Sequence, residues 1–309
     1  MRNHRANMII AVAAVVGLCF AVRAQPRQAQ GGHQDLNPAR TNVPSSNPNL
    51  PFDAHDFSGV WMTVRTGGGG IGNRGNTPWP MTPWAQARYD AAKPGLGPRG
   101  RPLGNDPIMT CDPVGYPRIA QYELGPAPPP GQSQTGERNQ AAGKPAQGQA
   151  RDASQQVVTG AYPMEFVQTK DRLIEFFDYF YVHRTIWLDG RKLLPDDPEP
   201  TWYGYSVGHW EGNTLVVETT GFNDQSWVDS DGHPHSDQMR LEERFLRVDH
   251  DTIQATMTLT DPKAYTAPLV SRVTIWKLTP KRTMREDLCA PSDELRYKEE
   301  IREPAASTK

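Results

Sequence analysis

Four of the seven histidines beyond residue 24 fall between residues 181 and 244: His183, His209, His233 and His235. They share that stretch with several tryptophans and many carboxylates. Imidazole titrates near neutral pH, so a histidine beside a carboxylate can take up and release a proton, and a His-x-His pair can offer two nitrogens to one metal ion. Glu243 is the carboxylate that the pattern singles out. Residues 239–247 alternate, with Met239, Leu241, Glu243 and Phe245 on one face and Arg240, Glu242, Arg244 and Leu246 on the other. A strand there aims Glu243 into an apolar row, where a carboxylate has to be paired, hydrogen-bonded or protonated. Either it pairs with an inward arginine such as Arg184 or Arg272 and fixes strand register, or it works as a general acid or base with a raised pKa.

His183 opens a run in which His183, Thr185, Trp187 and Asp189 alternate with Arg184, Ile186 and Leu188. Neither set is clearly polar. With its face turned inward, His183 would form a proton-transfer pair with Glu243; otherwise it is a histidine hydrogen-bonded at a strand end. His235 belongs to the densest polar segment, residues 229–237 (DSDGHPHSD). No third ligand follows at zinc spacing, and on the calcium-loop pattern Trp227 and Gln238 stand where ligand positions fall, so no metal is expected. The plainer reading is a turn with His235 near a barrel mouth. Trp187, Trp202, Tyr203, Tyr205 and Trp227, with Arg184, are the candidate contacts for an apolar or ring-bearing ligand. No G-x-S-x-G accompanies the histidines, which disfavours serine hydrolysis. The G-x-G-x-x-G spelled by residues 70–75 is followed by Pro78, Pro80 and Pro83 rather than a helix, so no dinucleotide cofactor is expected.

Short period-two runs must position these groups. They cover residues 58–64, 164–169, 172–178, 183–188, 202–210, 214–220, 239–248, 252–261 and 270–278, nine in all. Polar turns such as Lys170-Asp171, Glu211-Gly212-Asn213 and Asp249-His250-Asp251 join them. Consecutive hairpins are used most economically in an antiparallel up-and-down barrel, which leaves no open edge; a two-sheet sandwich is the alternative. Thr82 followed by Pro83 predicts one short helix running to about Lys93. Residues 105–122 are turn-rich and are expected to pack on the outside of the main fold. Residues 125–153, rich in Pro, Gly, Gln and Ala, read as a disordered insertion within a single barrel domain at 53–303.

Residues 1–24 have two early arginines, an apolar run and a small-residue end at Ala24, the pattern of a secretory leader, and residues 25–52 read as a polar tether. Loss of the leader removes three arginines and no acid, leaving 30 basic against 35 acidic side chains, a formal charge of −5. That balance argues against a nucleic-acid partner, and no basic amphipathic helix suggests membrane insertion of the mature chain. The expected location is periplasmic or secreted. Cys111 and Cys289 are then an even pair in an oxidising compartment and are predicted to be bonded.

Gly59-Val60-Trp61 resembles the first-strand signature of lipocalins. Asn105-Asp106-Pro107 with Cys111-Asp112-Pro113, Leu188-Asp189-Gly190-Arg191, residues 208–217 (GHWEGNTLVV), Gly221-Phe222-Asn223-Asp224 and residues 261–265 (DPKAY) resemble those of a large group of exported bacterial proteins of unknown function. The resemblance spans residues 56–290 and implies a mainly β, lipocalin-like barrel without implying a substrate. The leading expectation is binding of a small organic molecule in the lumen. An acid–base lyase or hydrolase using His183 or His235 with Glu243 is one alternative, and a structural envelope protein is another.

Overall fold

The computed structural model describes residues 47, 49–64, 71, 78–94, 104–121, 162–193, 199–286, 288–290 and 299–300. The expected leader and the 125–153 insertion lie outside these residues.

All nine expected runs form strands: β1 Gly59–Val64, β2 Met164–Gln168, β3 Arg172–Phe177, β4 Val182–Trp187, β5 Tyr205–Glu211, β6 Thr214–Thr220, β7 Arg240–Asp249 and β8 Thr252–Thr260, with the last run split into β9 Leu269–Val270 and β10 Thr274–Leu278. The split falls at Ser271, which bonds to the middle of β8: its N–H donates to the Met257 carbonyl and the Met257 N–H donates to its Oγ, both at 2.8 Å. Neighbours around the wall follow chain order from β1 to β8, and β10 pairs with both β8 and β1, closing a barrel of nine strands while β9 lies on the remaining part of β8.

The barrel is not purely antiparallel. β4 and β5 run parallel, Ile186 opposite Ser206 and Trp187 opposite Val207. A hairpin would have reversed the chain within a few residues. Here the chain between β4 and β5 spans residues 188–204, long enough to return to the starting rim, and its last part is pinned there: Thr201 bridges Phe222 in parallel and the Trp202 carbonyl accepts the Tyr116 N–H at 3.0 Å.

Helix α1, Pro83–Ala91, starts as predicted, with Thr82 Oγ1 accepting the Ala85 N–H at 3.3 Å and Pro83 at its first position. It stops two residues early because Ala92 is already extended (ψ 133°), leaving Lys93 before Pro94 outside the helix.

Strand register sorts the inner face. Trp61 lies opposite Met164 and Met164 opposite Phe177; Glu175 lies opposite both Phe166 and Arg184; Glu243 lies opposite Val217 and Met257. Toward the rim where β1 begins, the lumen is filled by an aromatic cluster. Phe57 sits 6.1 Å from Phe166, 6.4 Å from Phe245 and 5.6 Å from Trp210, and Trp276 sits 5.5 Å from both Phe166 and Phe245. Each such ring, fully buried, stabilises the fold by roughly 2–3 kcal/mol. Arg247 closes this rim by donating to the backbone carbonyls of Asp56, Asp249 and His250. The last residues of the expected tether touch this rim: Phe52 lies 5.7 Å from the Arg247 guanidinium, and Asn47 donates to Asp251 at 3.4 Å.

Candidate functional site

Glu243 points into the lumen, and its partner is Arg184, not Arg272, which is exposed. Inward alternation on β4 makes Arg184 and Ile186 the buried residues, with Arg184 reaching across the lumen. Its Nη1 lies 2.7 Å from Glu243 Oε2, one Nη2–H donates to Glu243 Oε1 at 3.0 Å, and Nε donates to Glu175. Two carboxylates therefore share one guanidinium.

The fourth member of this cluster is Tyr116. Its hydroxyl donates to Glu243 Oε1 and accepts from Arg184 Nη2 at 2.9 Å, and the guanidinium carbon stands 3.7 Å over its ring. Residues 105–121 thus do more than pack outside the barrel: they plug its upper rim. The plug is held by Arg118, which grips Asp106 through two bonds of 2.8 and 2.7 Å, by the Tyr116 N–H on Trp202, and by the Cys111–Cys289 disulfide.

Burial pushes the Glu175 carboxyl up to about 7; Arg184 pulls it down and Glu243 pushes it further up. Burial opposes charge on Arg184, yet Glu175 and Glu243 raise its pKa well above the ordinary value. The Tyr116 hydroxyl is raised far up by burial, with Arg184 opposing. Glu175 thus keeps its proton at mildly acidic pH. Among the described residues, Glu175 Oε1 has no hydrogen-bond partner, and it is sealed from solvent.

His183 does not join this group. It is on the outer face, exposed, with its ring 5.3 Å from Phe176, because Arg184 takes the inward position. His235 is buried, but its partners are Ser226 Oγ on Nε2 at 2.8 Å and the Ser236 carbonyl on Nδ1 at 3.3 Å. Burial lowers its pKa, which keeps the ring neutral, with Nδ1–H donating and Nε2 accepting from the serine hydroxyl.

A second His–carboxylate pair was overlooked in the sequence. His233 Nδ1 meets Asp229 Oδ2 at 2.6 Å, and its ring is stacked between Trp79 at 3.7 Å and Tyr89 at 4.4 Å. Such an arrangement fixes the orientation of the imidazole. Among the described residues, no three His, Cys, Asp or Glu side chains converge as a metal-binding group.

The candidate aromatic contacts are dispersed. Trp187 lies outside the wall between Arg172 and Arg191, at 4.3 and 3.6 Å. Trp202 and Trp227 belong to the upper rim, Trp227 bridging Pro234, and Tyr205 donates its hydroxyl to the Glu199 carbonyl at 3.0 Å. Burial raises the Tyr203 hydroxyl pKa.

None of these residues lines the cavity under the plug. Trp61, Thr63, Met164, Phe177 and Trp276 form its wall on the inner faces of β1, β2, β3 and β10. Ile119 and Ala120 of the plug, with Tyr162, complete it. Its enclosed volume is about 20 Å³, room for one water-sized group, within about 320 Å³ of unfilled space counting its open mouth. Among the described residues, no charged side chain lines it. Trp276 is a wall of this cavity and only 1% exposed, and its Nε1–H is sealed from solvent without an acceptor among the described residues.

Comparison with models of known families, with curated proteins and with solved structures gave no match. The closed, mixed nine-strand wall is compatible with a calycin-like superfamily. Among the described residues, no helix is long and apolar enough to cross a membrane.

Proposed function

We propose that the protein is an exported binder of a small, uncharged, apolar or aromatic molecule, held at the mouth of its barrel. The observation that carries this reading is the aromatic cavity between the wall and the plug, bounded by Trp61, Phe177 and Trp276 with no charged group among the described residues that line it. Binding sites for small molecules are concave, mostly apolar and furnished with few polar groups, and this recess has that character. The Cys111–Cys289 bond and the leader-like residues 1–24 support export.

Titration of tryptophan fluorescence with small neutral aromatics tests the reading. The native chain is expected to give a saturable one-to-one signal, which Thr63→Phe, filling the cavity, abolishes while the fold is retained. An unchanged isotherm in Thr63→Phe would move the site elsewhere.

A further inference from the structure

The plug residues over the cavity are held by a series of ties that starts on the cavity wall. Phe177 lines the cavity, and the next residue, Asp178, is fully buried, with its N–H donating to the Pro163 carbonyl at 3.0 Å. The Asp178 carboxylate accepts from the Arg285 backbone N–H, and from the Arg285 guanidinium through Nε at 3.1 Å and Nη2 at 2.8 Å. That guanidinium also stands 5.9 Å from the ring of Tyr162, another lining residue. Shortly beyond, Cys289 is bonded to Cys111, which ends the short turn Pro107–Thr110. Asp106, the cap of that turn, grips Arg118 at 2.8 and 2.7 Å, and Arg118 leads into Ile119 and Ala120 over the cavity. This route from wall to roof passes through one covalent bond. The bond is near the surface: Cys111 and Cys289 are half-buried, beside exposed Thr110, Asp112 and Leu288.

Resting on the binding reading above, we propose that the Cys111–Cys289 bond is a redox latch on the cavity: while it is formed the roof stays down, and its reduction lets Ile119 and Ala120 lift so that a ligand enters and leaves. The bond joins residues 178 apart in the chain, and a cross-link over so long a span constrains chain entropy strongly. A second attachment makes the consequence a movement rather than a detachment. Tyr116 donates its hydroxyl to Glu243 and its backbone N–H to the Trp202 carbonyl, and neither contact involves the disulfide. The released roof therefore stays pinned at Tyr116 and moves about it. The reductant is a small dithiol. One of its thiolates attacks a cysteine sulfur, the other cysteine leaves as a thiolate, and the second thiol of the reagent resolves the mixed disulfide. Two cysteine thiols and one cyclic disulfide result, with both electrons and both protons supplied by the dithiol. Exchange of this kind needs access to a sulfur, which the half-buried pair offers.

The test compares the oxidised chain, the chain reduced with dithiothreitol and the Cys111→Ser/Cys289→Ser double variant. Stopped-flow tryptophan fluorescence with acetophenone gives the entry and release rates of each. Amide hydrogen exchange without ligand follows the roof directly, since the Ile119 and Ala120 N–H groups donate to the Gly115 and Pro117 carbonyls at 3.1 and 3.2 Å. In both unlatched forms, entry and release are expected to quicken together by roughly tenfold or more, with Kd nearly unchanged. The Ile119 and Ala120 amides are expected to exchange faster while those of β7 and β8 stay protected. Rates equal to those of the oxidised chain, or faster release with entry unchanged, overturn the latch and leave the binding reading intact. Loss of protection in β7 and β8 along with the roof also overturns it, because the bond then holds the whole fold. Saturable binding in none of the three forms overturns the binding reading, and the exchange of Ile119 and Ala120 then decides alone whether the bond holds the roof.

Discussion

Glu175 is the residue whose chemistry is most exposed to pH. Its folded-state pKa of about 7 lies above the ordinary 4.5, so the fold holds this proton more tightly than the unfolded chain does. Its contribution is complete below about pH 4.5 and is lost as pH rises through 7, and a shift of this size is on the order of 3 kcal/mol. Urea unfolding between pH 4.5 and 8 is therefore expected to show the native chain losing stability with rising pH. Glu175→Gln, which fixes the neutral form, should flatten that window, and parallel profiles for the two proteins would refute the assignment. The sequence contained this residue in plain view: Leu173, Glu175 and Phe177 alternate just as Leu241, Glu243 and Phe245 do, so the rule that found Glu243 finds Glu175 too. What it could not give was the partner. Arg184 and His183 are adjacent on a strand with no clearly polar face, and one residue of register decides which imidazole or guanidinium meets the lumen.

At the scale of elements, the strands were legible because period-two alternation and turn residues are local signals. The plug was not, because residues 105–122 have no periodicity and their role depends on contacts far along the chain. Tyr116 reaches Glu243, 127 residues away. Gly115 is what lets it do so. Its φ of 76° is a left-handed conformation, and a Cβ there would stand 2.1 Å from Ser226 Oγ. Gly115→Ala is expected to lower the melting temperature by an amount corresponding to about 3 kcal/mol, combining backbone strain with displacement of Ser226. Gly190→Ala is the control, since Gly190 has a similar φ of 80° and open space where a Cβ would go. It should cost only about 1 kcal/mol. Equal losses for the two would mean that the packing of Gly115 against Ser226 does not hold the plug.

At the scale of the molecule, the lumen is divided. The lower part is filled with rings, the middle is spanned by Arg184 between Glu175 and Glu243, and a small cavity is left beneath the plug. Removing Arg184 would leave two buried carboxyl groups without their shared cation, so the guanidinium acts as a fixed strut. The closed barrel could be anticipated from nine consecutive strands, whereas the parallel step from β4 to β5 could not, because nothing in residues 188–204 states how far they travel. The lining of the cavity was not legible for a related reason. Aromatic residues crowd residues 187–227, but the rings that bound the cavity come from β1, β3 and β10, brought together only by closure. This cavity is proposed to hold a small neutral molecule. Native mass spectrometry of the oxidised chain incubated with acetophenone tests it most directly: one molecule per chain is expected on the native protein and none on a folded Thr63→Phe variant. A bare mass for both, or the same adduct on both, would contradict it.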